Sequence, residues 1–171
     1  GKLQGTDSPD LAGALSSLAY AYRRLERLNE SASLYGRSLA ILGEGGGDYS
    51  VRISTYAGAA ATARSRGDLD EAAKFLEMAY AEAKPHWDES HTRMSQLYVE
   101  SPIQLWARDD ESTALEYWGK VETMIDANPE LNDSVLLAAS RDYLDFLSSL
   151  SQQSEIDRIL GARPVLRRVL D

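Results

Sequence analysis

Gly67-Asp68-Leu69-Asp70-Glu71-Ala72-Ala73-Lys74-Phe75-Leu76-Glu77-Met78-Ala79 is the stretch whose reading decides the fold. Gly67 suits the left-handed residue that ends a helix, and Asp68 suits the cap that starts the next one. Glu71 stands three residues after Asp68, in the capping-box position. Ala72, Leu76 and Ala79 then fall on one face of a helix. Small side chains at the two outer positions let this helix approach a neighbour closely, while the large one fills the space beside them.

The same pattern recurs along the chain. Asn29-Glu30-Ser31-Ala32-Ser33-Leu34-Tyr35 and Ser112-Thr113-Ala114-Leu115-Glu116-Tyr117-Trp118 each place a small residue four positions before a large one. Ser38 and Val121 follow three residues later, where the opening stretch has Ala79. Ser31, Ala72 and Ala114 are spaced 41 and then 42 positions apart, and a further step of 42 reaches Ile156 in a weaker copy. A period of this size marks a repeat whose unit cannot bury both of its faces alone, so neighbours stack.

Working outward, each copy is preceded by another helical pattern. Leu11, Leu15, Leu18 and Tyr22 share one face, behind the helix start Ser8-Pro9-Asp10. Clean period-2 runs are missing, so no sheet is expected. Turns are predicted near 25–29, 43–48, 66–69, 84–88, 107–110, 127–132 and 150–153. These divide the chain into antiparallel helix pairs over 8–42, 48–84, 88–127 and 132–160. Residues 1–7 read as a disordered or vector-derived N-terminus. Residues 161–171 read as a C-terminal capping helix, with Val165, Leu166, Val169 and Leu170 on one side.

Gly67 through Ala79 resembles the turn and second helix of a tetratricopeptide repeat, and Leu15, Leu18, Ala19 and Tyr22 match that family's first-helix positions. The long period is similar to the repeats of kinesin-light-chain-like proteins. The resemblance spans residues 8 to 160 and is weakest in the last pair. It implies an all-α, right-handed solenoid of about four pairs. Departures are Ser31 and Ser38 where Ala is usual, Glu26 where Gly is usual, and Pro102 where Gly or Ala is usual.

Composition excludes several functions. Hydrophobic residues make up 43% and charged residues 26% of the 171, an ordinary globular balance. A net charge of −9 opposes nucleic acid, whose phosphates demand cations, and equally an anionic membrane surface. No apolar run is long enough to insert into a bilayer. Cys is absent, which removes disulfides, thiol nucleophiles and thiolate metal sites. The first residues lack an apolar signal core, and the compartment stays open.

Constellations that suggest chemistry have simpler readings. His86-Trp87-Asp88-Glu89-Ser90-His91 gathers both histidines, but five positions separate them by about 140° on a helix, unsuited to a shared metal. Gly43-Glu44-Gly45-Gly46-Gly47-Asp48 follows a helix and lacks the Lys-Ser/Thr ending of a phosphate loop, so it reads as a linker. No nucleophile elbow or triad is recognisable, and Asp109-Asp110 reads as a helix cap. No enzyme, metal or cofactor is expected. Pro102 interrupts a helical pattern beside Trp106 and is read as adjusting helix stacking.

The resemblance implies a concave groove lined by the first helices. It would expose Tyr20, Arg23, Arg64, Val99, Ile103 and Trp106, with Arg23 and Arg64 at equivalent repeat positions. Two aligned guanidiniums near an indole suit a polypeptide with exposed carboxylates and some apolar side chains. Ser16, Tyr20, Ala57 and Gln96 stand where relatives that clamp chaperone tails carry Lys and Asn, so that role is not expected. The leading reading is a non-catalytic scaffold holding another polypeptide. The alternative is a peptide- or small-ligand-sensing module of a larger signalling or regulatory protein.

Overall fold

The computed structural model describes residues 8–43 and 48–170. Residues 1–7, most of the Gly43–Gly47 linker and Asp171 lie outside that range. Among the described residues there is no strand. These residues form eight α-helices: α1 Pro9–Arg24, α2 Leu28–Leu42, α3 Tyr49–Ser65, α4 Leu69–Ala83, α5 Ser95–Trp106, α6 Glu111–Ala127, α7 Ser134–Ser149 and α8 Gln153–Ala162. The chain is thus all-α and built of helix pairs. It divides into two compact units, Gly1–His86 and Trp87–Asp171.

Local sequence explains most helix starts. Ser8, Asp48, Asp68, Asp110 and Asp133 all accept hydrogen bonds from first-turn backbone N–H groups, as with Glu71 N–H to Asp68 at 3.0 Å. Each satisfies a donor the helix leaves without a partner. Arg27 and Gln152, at the same place before α2 and α8, make no such side-chain bond.

The turn inside each pair is built one way throughout. Glu26, Gly67, Asp109 and Ser151 all have positive φ, at 59°, 85°, 62° and 57°. The next residue's N–H reaches back five positions: Arg27 to Tyr22 O, Asp68 to Ala63 O, Asp110 to Leu105 O and Gln152 to Leu147 O. This is the Schellman closure, which satisfies helix-end carbonyls and reverses the chain. The turns repeat at the spacing of the helix pattern.

In the first unit, α1 packs on α2, α3 on α4, and α3 also lies against α2. The small residues Ser31, Ser38, Ala72 and Ala79 are buried at these contacts, with Tyr35 and Leu76 between them. Tyr35 joins Ala19 and Ala59 in a core bordered by Leu34 and Phe75. Its ring occupies the space that a side chain at Gly58 would need, with Cε1 2.7 Å from an ideal Cβ there. Glycine at 58 is therefore a packing requirement of the aromatic at 35.

In the second unit, α5 packs on α6, and α7 lies against α5 more extensively than against α6 or α8. Helix α5 continues through Pro102 and is buried around nearly its whole circumference, from Leu97 to Gln104. The sequence predicts one capping helix over 161–171, but α8 ends at Ala162 and Pro164–Val169 forms a 3-10 segment. Three residues per turn aligns Leu166 with Val169, and both are buried, while Leu170 is exposed.

Candidate functional site

The six residues expected to line a groove fall into both units. Tyr20, Arg23 and Arg64 belong to the first. Tyr20 is 42% exposed near the end of α1, and the Arg23 guanidinium lies over its ring, 5.2 Å from the centroid. A cation above an aromatic face is attracted by the ring quadrupole. The Arg23 Nε is buried and makes no hydrogen bond. Arg64 stands 41 positions on, half-buried at the same place near the end of α3. Ala57 and Ala61 are buried on α3, and Thr55 Oγ1 donates to Ser16 Oγ at 3.1 Å.

Val99, Ile103 and Trp106 belong to the second unit, and here expectation and structure differ. Val99 and Ile103 are each only 3% exposed, so they pack in the interior instead of presenting a surface. Because α5 is enclosed on nearly every side, repeat register alone does not identify an outward face. Trp106 is half-buried and meets Phe146 edge-on, with centroids 6.1 Å apart. It lines a cavity of about 510 Å³ that also touches Leu115, Trp118, Tyr143, Leu147 and Arg158.

Two features around this cavity have no readable sequence signal. Trp118 and Tyr143 stack at 3.8 Å with planes 13° apart, and neither the indole N–H nor the phenol has a hydrogen-bond partner. Burial pushes the Tyr143 hydroxyl well above the usual range. At the rim, Arg158 reaches Glu155 at 2.7 Å and Glu122 at 3.0 Å, and its hydrogen bond holds the Glu155 carboxyl down. Elsewhere in the unit, Lys120 sits over Tyr98 and Tyr117, at 5.1 and 5.6 Å from their centroids. Tyr98 donates to Glu89 O at 3.2 Å, and burial, aided by Glu89, raises its pKa to about 12.

The histidines are placed as ring partners. His86 stacks on Tyr49 at 3.8 Å in the first unit, and His91 stacks on Trp87 at 5.1 Å in the second. His91 Nδ1 accepts from Arg93 N–H at 3.2 Å, so it caps the short 3-10 turn Thr92–Met94. Among the described residues no group of three potential ligands converges on a point where a metal would sit. No described helix is long and apolar enough to cross a membrane.

Paired helices with small residues at their contacts, joined by one repeated turn, define a helical-repeat protein. Residues 10–81 match the tetratricopeptide repeat family model. The search of curated proteins finds no match. Repeats of this family generally mediate protein–protein interaction and are typically non-catalytic.

Proposed function

We propose that the chain is a non-catalytic interaction module that takes a polypeptide with exposed carboxylates on its first-helix surface, through Tyr20, Arg23 and Arg64. The observation that carries this reading is the Arg23 guanidinium, held over the ring of an exposed Tyr20. A planar cation already held in place loses little freedom when a carboxylate arrives, and the bond formed is charge-assisted. The acidic body, at net −9, repels nucleic-acid backbones while leaving a single carboxylate acceptable at this point.

A small-ligand-sensing role has one observation in its favour, the aromatic cavity beside Trp106, Trp118 and Tyr143. Its volume lies within the range of ordinary ligand pockets.

A displayed library of random peptides, selected on the whole chain, tests the leading reading. Selected peptides should be rich in Asp and Glu, bind more weakly as salt rises, and lose binding to the Arg23→Glu/Arg64→Glu variant while its helicity persists. Undiminished binding to that double variant, or tight DNA binding at physiological salt, would overturn it.

A further inference from the structure

Leu11, Ala14, Leu18 and Ala21 of α1, with Leu25 at its C-cap, fall on one face of the helix. Leu18 is 46% and Leu25 68% exposed, and Ala14 and Ala21 are also exposed. The next pair shows what this face does in a repeat. Forty-one positions on, Ala14, Leu18 and Ala21 become Thr55, Ala59 and Thr62 of α3, all of them buried. There Ala59 packs on Tyr35, and Thr62 Oγ1 lies 3.0 Å from Ser31 Oγ of α2. The position that receives a neighbouring helix in α3 is thus open in α1.

What α1 offers at that position is not a copy of α3. Where α3 has polar and small residues fitted to an interior, α1 has leucines at strict seven-residue spacing with alanines between them. That is the pattern of a two-helix seam, with alanine permitting close approach. Charge selects the orientation. On the side of this seam, helix α1 has Asp10 in its first turn and Arg24 in its last. Two copies laid antiparallel place each acidic start beside a basic end and oppose the helix dipoles, whereas parallel copies set like ends together.

We infer that the outer face of α1 docks against α1 of a second copy of this chain, antiparallel about a two-fold axis at Leu18. In that arrangement Leu11 of one copy meets Leu25 of the other, and Leu18 meets itself. Tyr20 and Arg23 lie on roughly the opposite side of the helix, at 100° per residue, so pairing leaves them accessible. The inference is independent of the peptide-binding reading, and Leu18→Glu leaves that reading testable.

Analytical ultracentrifugation of the whole chain provides the test. The wild-type chain should show a monomer–dimer equilibrium. Leu18→Glu should weaken it on the order of 100-fold, as for loss of one central anchor, with helicity unchanged. Mixing Leu18→Glu with Leu18→Lys should restore dimers. Because the chain has no Cys, engineered thiols give a second readout. Leu11→Cys mixed with Leu25→Cys should form a disulfide-linked pair, while Leu25→Cys alone should not. A wild-type chain that stays monomeric at millimolar concentration, a dimer indifferent to Leu18→Glu, or efficient self-linking of Leu25→Cys would each overturn the inference.

Discussion

Ser31 gives its hydroxyl proton to the Ala19 carbonyl oxygen across the α1–α2 contact, at 2.8 Å, with both residues fully buried. Ser38, two turns further along α2, does the same to Ala12 at 2.8 Å. In the sequence these serines read as departures from the alanine usual at such positions. In the fold they are small enough for close packing, and each spends its one proton on a backbone oxygen of the partner helix. A buried hydroxyl without that bond would cost more than it contributes.

Replacing Ser31 by Ala should therefore be mildly destabilising despite leaving the packing intact. The expected loss is about 1 kcal/mol, the net worth of one neutral hydrogen bond. Thr62, whose one proton Ser31 Oγ and the Gly58 carbonyl at 3.0 Å can both accept, is then left with Gly58 alone. Ser31→Ala and Thr62→Ala should consequently be non-additive in urea unfolding, since each removes part of one network. Strict additivity would show that the two hydroxyls do not act together.

The four turns supply a paired prediction of opposite sign. Glu26 and Gly67 occupy equivalent positions with φ of 59° and 85°. A side chain in the left-handed region costs roughly 1–2 kcal/mol, which Gly avoids. Glu26→Gly should raise stability by about 0.5–1 kcal/mol, because added backbone freedom in the unfolded chain offsets part of the relief. Gly67→Ala should lower it by about 1 kcal/mol. Thermal unfolding of the two variants, monitored by circular dichroism, checks the signs. The same sign for both would mean that the turns differ in backbone conformation.

Acid should weaken the first unit through one ion pair. Arg52 on α3 and Glu82 on α4 meet at 2.5 Å, with the arginine side chain 8% exposed. The hydrogen bond from Arg52, outweighing burial, holds the Glu82 carboxyl below its usual 4.5. A depressed folded-state pKa means that the unfolded chain takes up the proton first. The pair's contribution is thus complete above pH 4.5 and is lost as pH falls through the lower folded value. Glu82→Gln should flatten this part of the stability–pH curve and lower stability at neutral pH, because Arg52 loses its charged partner. An unchanged acid limb in that variant would move the titrating group elsewhere.

Much of the architecture is legible in the linear chain because it rests on local rules. The small–large–small pattern at Ser31, Ala72 and Ala114, and the capping aspartates at 68 and 110, act within one helix or one turn. Their spacing reveals a repeat of helix pairs without knowledge of distant contacts. Asp109 and Ser151 were not readable as left-handed residues, since neither type demands that conformation. Only the five-residue closure from the following N–H shows it.

The residues of the candidate site divide along the same line. That Arg23 and Arg64 are equivalent follows from the period, and that Tyr20 lies three positions before Arg23 permits a ring contact within one helix. The burial of Val99 and Ile103 was decided by tertiary structure, because exposure depends on what packs against a helix and not on its own pattern. The same holds for Trp106, whose indole borders a cavity shaped by Trp118 and Tyr143 from other helices. Local sequence chose the helices, their ends and their repeat, through interactions a few residues long. Which side chains face solvent, and which hydroxyl meets which carbonyl, was decided only when distant segments competed for the same space.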